Sequence, residues 1–349
     1  MSEKANRNRR VTTLRDIASL AGVTPTAVSM ALANHPRIGT EKKVQIREIA
    51  RDLGYVVNSA ARTLRLKQAN AIALVVPNTG HHVFGHPYFM HLLVGVTESA
   101  NTRGCTVTIS TNLDEQHGVV AYERVLQSGA VDGAIIASAS ILDPYVRRML
   151  DSDMPVVLIG NFPDFSESIN VGIDDVLAAS LLTRHLTEEH GFRKIGHISG
   201  PLSHQSAIDR VEGYRQVINR ISEKLPEYVA VGDFSEESGQ ESARQLLDAH
   251  PDLEAIFAAN DEMAFGALLE FRSRGLRVPE DIALVGFDDF GVARLTTPGM
   301  TTIRVPAEEL GRVATEKLFE LISGVKPDQF HTTLPVELVI RESCGSHQK

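Results

Sequence analysis

The sequence predicts a small all-α helix-turn-helix head followed by an α/β body of two doubly wound parallel-sheet lobes. Three observations predict it. Helical periodicity fills residues 12–66, short apolar runs alternate with amphipathic stretches from residue 71 onward, and the charge splits sharply between the two parts. The chain has 349 residues and a formal net charge of −9. Residues 1–67 hold 13 Lys/Arg and 5 Asp/Glu, so 13 − 5 gives +8. The remainder holds 35 − 13 = 22 basic and 44 − 5 = 39 acidic residues, a net of −17. A basic head on an acidic body is the layout of a protein in which one small module meets phosphate and the rest avoids it.

Residues 1–11 are polar and basic and read as a disordered lead-in. Thr13 is placed to cap a first helix whose apolar face is Leu14, Ile17, Ala18 and Ala21, with Asp16 complementing the dipole at N3. Gly22 then ends the helix. Thr24-Pro25 opens a second helix, Thr as N-cap and Pro at the position whose N–H has no partner in any case. Val28 and Leu32 face inward, leaving Thr26, Ala27, Ser29 and Met30 outward or near its start. Two helices joined by so short a turn must cross, which puts the start of the second toward a DNA major groove. A third helix from Thr40 to Asp52 closes the core through Val44, Ile46, Ile49, Ala50 and Leu53. Gly54 ends it. Residues 55–58 form an extended link, and Asn58 is placed to cap a short helix over 59–66 that is too short to persist alone in water. Asn34 and His35 are either phosphate contacts or plain turn residues.

In the body the runs at 71–76, 106–109, 133–137, 156–159, 194–198, 255–258 and 282–286 read as strands buried on both faces. A last strand is expected over Leu334–Ile340. Helical stretches at 88–103, 174–189, 207–220, 236–249 and 262–274 lie between them. The number of βα units suits two lobes, with a ligand cleft at the carboxyl ends of the strands.

Several function classes are disfavoured. There is no dinucleotide or phosphate-loop glycine motif and no nucleophile elbow, so the chain does not read as an enzyme. His185-Leu-Thr-Glu-Glu-His190 fails both zinc-protease spacings and reads as a helix end with Gly191 just past it. His81, His82, His86 and His91 cluster without a Cys or carboxylate nearby in sequence. No metal and no cofactor is therefore expected. Cys105 and Cys344 have no metal-like spacing, and two cysteines do not make a disulfide framework. With no apolar segment after the charged start and no run of 18 apolar residues, a cytoplasmic, nucleoid-associated protein is expected.

Residues 12–67 resemble the DNA-binding head of the lactose-repressor/galactose-repressor family. The segments that carry this are LRDIASLAGV with AVS, RIGTEKKVQI, LGYVVN and AARTL. The body resembles the family's periplasmic-binding-protein-like sensor through Ser199-Gly-Pro-Leu, the stretch Ser206 to Tyr214, Gly232-Asp-Phe234, Ala259-Asn260-Asp261, Val285-Gly-Phe-Asp288-Asp, Leu295 to Pro298 and Thr301 to Ile303. The resemblance implies a homodimeric transcription regulator, most simply a repressor of carbohydrate metabolism, on a pseudo-palindromic operator. It implies chain divisions at 12–57 for the head, 58–69 for the hinge and 70–349 for the body. Lobe crossovers would fall near 172, 304 and 336. The paired hinge helices would enter the minor groove, with Leu64 as the kinking wedge and Ala61 allowing close approach. Two positions depart from the family's pattern. Val57 stands where proline is common, which implies a looser link. The start Thr24-Pro25-Thr26-Ala27 and Met30 lack the long polar reader common there, so readout by Thr24, Pro25, Thr26, Ala27, Ser29 and Met30 would rely on thymine methyls and a Thr hydroxyl.

The effector contacts it implies are chemically suited to a sugar or sugar derivative, a sugar phosphate included. A nucleobase is the next reading, because Phe89 and Phe234 could sandwich either ring. Arg210 offers a planar donor fork, Asp288 an acceptor pair, and Asn260 and Asn161 a donor and an acceptor each. Phe89 and Phe234 supply ring faces, and Ser206 and His204 share the segment of Arg210. Each has a plainer reading. Phe89 and Phe234 also suit a core, Asp288 a loop cap beside Asp289, and Arg210 an ion pair with Asp209 or Glu212 on its own helix. The tail 341–349 has no leucine heptads, so nothing beyond a dimer is expected.

Overall fold

The computed structural model describes residues 12–32, 34–55, 69–112, 120–220, 226–325 and 328–345. The chain divides into two compact units, residues 1–68 and residues 69–349.

In the first unit α1 (Leu14–Ala21), α2 (Pro25–Leu32) and α3 (Thr40–Asp52) enclose Ile17, Ala18, Ala21, Val28, Ala31, Ile46 and Ala50. The Asp16 carboxylate accepts from the Thr13 N–H and hydroxyl at 2.7 Å, closing the start of α1. Gly22 ends it with φ 64°, in the left-handed region where a side chain is strained. A Cβ there would touch nothing within 4 Å, so the cost of substitution is purely backbone. Gly22→Ala is therefore expected to destabilise the head by about 1–2 kcal/mol, read as a lower midpoint in thermal denaturation. Thr24 caps α2, its hydroxyl accepting from the Ala27 N–H at 3.2 Å. One expected core position is wrong: Val44 is 49 % exposed. At about 100° per residue Ile46, Ile49, Ala50 and Leu53 share a face, whereas Val44 falls about 200° from Ile46, on the far side.

The second unit starts with β1 (Ala71–Thr79), α4 (Gly80–Gly85), α5 (Pro87–Thr102) and β2 (Thr106–Asn112). Next come α6 (Val120–Ser128), β3 (Gly133–Ala137), α7 (Pro144–Leu150), β4 (Val156–Ile159) and β5 (Ile169–Ile173). Then follow α8 (Asp175–Arg184), a π-helical turn at His185–Glu189, β6 (Ile195–Ser199), α9 (Gln205–Arg220), β7 (Tyr228–Val231) and α10 (Glu236–Ala249). After these stand β8 (Ala255–Ala258), α11 (Asp261–Ser273), β9 (Ala283–Val285), α12 (Gly291–Leu295) and β10 (Thr302–Arg304). The chain closes with α13 (Ala307–Ile322), β11 (His331–Leu334), β12 (Glu337–Val339) and a 3-10 turn at Glu342–Cys344.

Two parallel sheets result. The first has the order β11-β5-β4-β3-β1-β2 and the second β7-β6-β8-β9. In each the order reverses beside its first strand, which opens a crevice at the carboxyl ends. The first sheet is covered on both faces, which explains its unbroken apolar runs. Ile72, Leu74 and Val76 pack with Leu92, Val96, Leu310 and Leu318 of α5 and α13. The alternate residues Ala73 and Val75 pack with Ala121, Tyr122, Val146 and Met149 of α6 and α7. The approach of α5 to α13 is close enough that a Cβ on Gly95 would lie 1.8 Å from the Glu308 carbonyl oxygen.

The single strand expected over 334–340 is two strands. β11 extends the first sheet in parallel beside β5, while β12 pairs antiparallel with β10. Pro335 stands between them, lacking the N–H a continuous ladder needs. The strands β5, β7 and β10 and the helices α4, α6, α7, α12 and α13 have no counterpart among the expected elements. They are short, mixed in polarity or both.

Candidate functional site

The body's cleft collects loops from the carboxyl ends of both sheets. After β1 come His86, Tyr88 and Phe89, after β3 Ser138 and Ala139, after β4 Asn161 and Phe162, and at the end of β5 Gly172 and Ile173. From the other side come His204, Gln205, Ser206 and Arg210 after β6, Phe234 after β7 and Asp288 after β9. Seven of the eight expected effector residues line this cleft; Asn260 stands behind it as the N-cap of α11.

Arg210 is the centre of its charge. It is 8 % exposed and sits on α9, not on a loop, one turn after Ser206. Its Nε donates to Asp175 Oδ1 at 2.8 Å and its Nη1 to the Ala259 carbonyl at 2.5 Å. Nη1 also stands 4.0 Å from Asp288 Oδ1, and the guanidinium carbon lies 3.7 Å above the Phe287 ring. The pairing with Asp209 or Glu212 on its own helix does not form. Asp209 instead accepts from Asn161 Nδ2 at 3.0 Å and from Gln205 Nε2 at 2.7 Å. Asn161 thereby joins the two sides of the cleft.

Burial pushes the Asp175 carboxyl up, and Arg210 pulls it only part of the way back. Burial likewise raises Asp288 well above the usual carboxylate range. Its neighbour Asp289 does the opposite work. It faces Arg304 at 2.8 Å, Arg341 at 2.5 Å and Arg294 at 3.4 Å. Burial alone would raise it, but the bonds from Arg341 and Arg304 hold it below its ordinary value. The loop is thus anchored through Asp289 and presents Asp288.

The backbone is strained at three residues that line the cleft. Among the described residues six non-glycine positions have positive φ, and three of them line it: Ser138 at 56°, Phe234 at 71° and Asp288 at 116°. Strain of this kind, on the order of 1–3 kcal/mol each, gathers at ligand sites. Phe234 is half-buried and lies against Gly200, where a Cβ would meet its ring at 2.1 Å. Phe89 is 4 % exposed and stacks edge-on to Tyr88 and His86. It is a core ring with one edge on the cleft. His204 meets Phe234 edge-on and lies 3.2 Å from the Ser203 hydroxyl.

Sequence reasoning missed Asp175, Tyr88, His86 and Glu262. Carboxylates do accompany the histidine cluster, but from other parts of the chain: Glu308 lies 2.7 Å from His91 and Glu262 lies 3.5 Å from His86. Asn260 Nδ2 lies 3.1 Å from His86 Nε2 and donates to Glu262 Oε2 at 2.9 Å. Burial raises Glu262 from its ordinary 4.5 to about 7. A raised acid binds its proton more tightly folded than unfolded. Its stability contribution is therefore intact below about pH 4.5 and is lost as pH rises toward 7. Glu262→Gln is expected to remove that loss, making the body more stable by on the order of 2–3 kcal/mol at pH 8 and no more stable at pH 4.5. Urea melts at the two pH values check this.

In the head, Thr24, Pro25 and Thr26 are exposed at the start of α2, and Ala27, Ser29 and Met30 are half-buried. Thr13 is exposed at the start of α1. Asn34 takes φ 57° and is held by α3, its carbonyl accepting from Lys43 at 3.2 Å and its side chain from Arg47 at 3.3 Å. His35 Nδ1 accepts from the Arg37 N–H at 3.2 Å. Lys42 donates to the Ala21 carbonyl at 2.8 Å, so basic side chains of α3 fasten the ends of both preceding helices. Ala61 and Leu64 lie outside the described residues.

Comparison with known proteins agrees with this geometry. Residues 13–58 match the model for bacterial regulatory proteins of the lacI family, and residues 183–344 match a periplasmic binding protein-like domain. The transcriptional regulator CelR of Thermobifida fusca is 33 % identical over 96 % of this chain and 99 % of its own. The ribose operon repressor of Halalkalibacterium halodurans is 30 % identical over 95 % of this chain and 97 % of its own. Among solved structures, a CelR–cellobiose complex superposes with a TM-score of 0.71 at 31 % identity, covering 95 % of this chain and 99 % of that one. The Lac repressor dimer bound to operator and the anti-inducer ONPF gives 0.84 at 25 % identity, covering 96 % and 99 %.

Proposed function

The chain belongs to the LacI family of bacterial regulatory proteins and is a ligand-modulated DNA-binding transcription regulator, and from that premise we propose that its effector is an uncharged sugar held between the two sheets. The observation that carries the choice is the charge balance of the cleft. Arg210 is the one Lys or Arg among the described lining residues, and Asp175 and Asp288 already face it. A phosphate or carboxylate entering here would meet two buried carboxyl groups and no further Lys or Arg among the described lining residues, a costly placement for an anion. Hydroxyls suit it better. They donate to Asp288 and accept from the guanidinium, while Phe234 and Phe89 cover apolar ring faces.

In this reading the regulator is a homodimeric repressor acting in the cytoplasm on the nucleoid. Two heads meet the half-sites of a pseudo-palindromic operator. Thr24, Pro25, Thr26, Ala27, Ser29 and Met30 face base edges, Thr13, Asn34 and His35 lie along the backbone, and Ala61 and Leu64 enter the minor groove. The effector biases the sheets between two arrangements and so the spacing of the hinge segments. Relatives bearing on this are CelR, solved with cellobiose, and a ribose operon repressor.

Thermal unfolding against neutral mono- and disaccharides, sugar phosphates and purines tests it. A neutral sugar at 100 times its Kd stabilises by about 2.7 kcal/mol, a shift of several degrees. Stabilisation by a sugar phosphate and by none of the neutral sugars would overturn the reading.

A further inference from the structure

The far end of α8 carries a cluster of ligating side chains remote in sequence from the cleft loops. We propose that His185, His190 and Cys344 form a site for one Zn2+ ion, with two imidazole nitrogens and a thiolate as ligands. The assignment does not depend on the identity of the effector.

The sequence spacing hides this site. On an α-helix residues five apart point about 140° away from each other. Here the helix loosens to a π-turn over His185–Glu189, whose i to i+5 repeat returns residue 190 over residue 185. Gly191, at φ 74°, then turns the chain, and the His190 ring stacks on Phe192 with centroids 5.5 Å apart. His190 Nε2 comes to 3.1 Å from His185 Nε2. Cys344, 159 residues further on, places its Sγ 3.3 Å from the same nitrogen. All three donor atoms lie within 4.8 Å of one another. With Zn–N near 2.05 Å and Zn–S near 2.3 Å, tetrahedral donors stand about 3.3–3.6 Å apart; the two contacts of His185 need shifts of a few tenths of an ångström, and the half-buried His190 ring closes toward Cys344 by at most about 1 Å.

The surroundings suit a metal as well. Cys344 and His185 are buried, while His190 is half-buried and gives a hydrated ion a way in. The Thr301 hydroxyl lies 3.1 Å from Sγ, placed to hydrogen-bond a thiolate. Two nitrogens and one sulfur are borderline-soft donors that choose zinc over magnesium or calcium. Binding releases the thiol proton, and the bound ion would fasten the tail at 342–344 to the end of α8.

The test uses full-length, tag-free protein stripped with a chelator and then titrated with Co2+ and Zn2+. One equivalent of Co2+ per chain should produce the near-ultraviolet thiolate-to-cobalt charge-transfer band, and Zn2+ should displace it. Cys344→Ser should abolish the band, and His190→Ala should weaken Zn2+ binding at least about 100-fold. Cys105→Ser should change neither. Because Cys344 is buried, the half-buried His190 variant, with an unchanged circular dichroism spectrum, is decisive if the serine variant does not fold. Absence of the band, its survival in Cys344→Ser, or full-strength Zn2+ binding by His190→Ala would overturn the proposal, as would uptake of Cu+ with no uptake of Zn2+ or Co2+.

Discussion

Arg210→Met is expected to destabilise the body by about 3–5 kcal/mol at pH 8 and to abolish stabilisation by the effector. The guanidinium neutralises a buried neighbourhood. It donates to Asp175 at 2.8 Å, stands 4.0 Å from Asp288 and rests on the face of Phe287 at 3.7 Å. Methionine keeps much of the apolar contact and removes the charge, leaving two carboxyl groups without their cation. Both are already raised by burial with Arg210 present, and they rise further without it. The sign with pH follows. In the variant the folded state holds protons that the unfolded chain has released, so the penalty is greatest above the folded pKa values and fades as pH falls below them. Adding Asp175→Asn to Arg210→Met should recover a large share of the loss, because removing both partners is far less costly than removing one. Urea unfolding followed by far-ultraviolet circular dichroism measures each variant, since the chain has no tryptophan. A loss below about 1 kcal/mol that does not vary with pH would mean that Arg210 does not compensate the two carboxyl groups.

What the sequence made legible follows from how local each signal is. Thr13, Gly22, Thr24-Pro25 and Thr40 are punctuation read within a few residues, and the three head helices begin and end where that punctuation stands. The seven apolar runs of the body all became strands, six of them because strands buried on both faces need no alternation to be seen. β2, at the sheet edge, instead alternates exposed Thr106 and Thr108 with half-buried Val107 and Ile109, against the expected burial on both faces. β5 was not visible. Its Asn-Val-Gly centre is short and mixed, yet its end positions Asp175 at the start of α8. The ion pair of Asp175 with Arg210 spans 35 residues and has no sequence signature. The same holds for Glu262 with His86 and for Cys344 with His185. Chemistry assembled from distant segments appears only when the topology brings strand ends together. Residue types at those ends were legible through family resemblance; their partners were not.

The steepest response expected of the intact regulator is to salt. Each head carries a net charge of +8 over residues 1–67, from 13 basic and 5 acidic residues, while the body repels phosphate. A dimer making 6–10 phosphate contacts should lose about 10^3–10^5-fold in operator affinity between 50 and 200 mM monovalent salt. The same experiment separates two kinds of residue on the head. Thr26 is exposed on the first turn of α2 and Met30 is half-buried one turn on, and both are proposed above to face base edges. Replacing either with alanine should weaken the preferred operator by about 1–3 kcal/mol and relax preference at one base pair, with the slope of log affinity against log salt unchanged. Arg37 is exposed in the loop after α2, and Arg37→Ala should weaken all duplexes alike and reduce the slope by about one. Fluorescence anisotropy on an operator selected from randomised duplexes reads both quantities. If Thr26→Ala lowered the slope and left base preference intact, α2 would lie against the phosphate backbone, and the bases would have to be read by another part of the head.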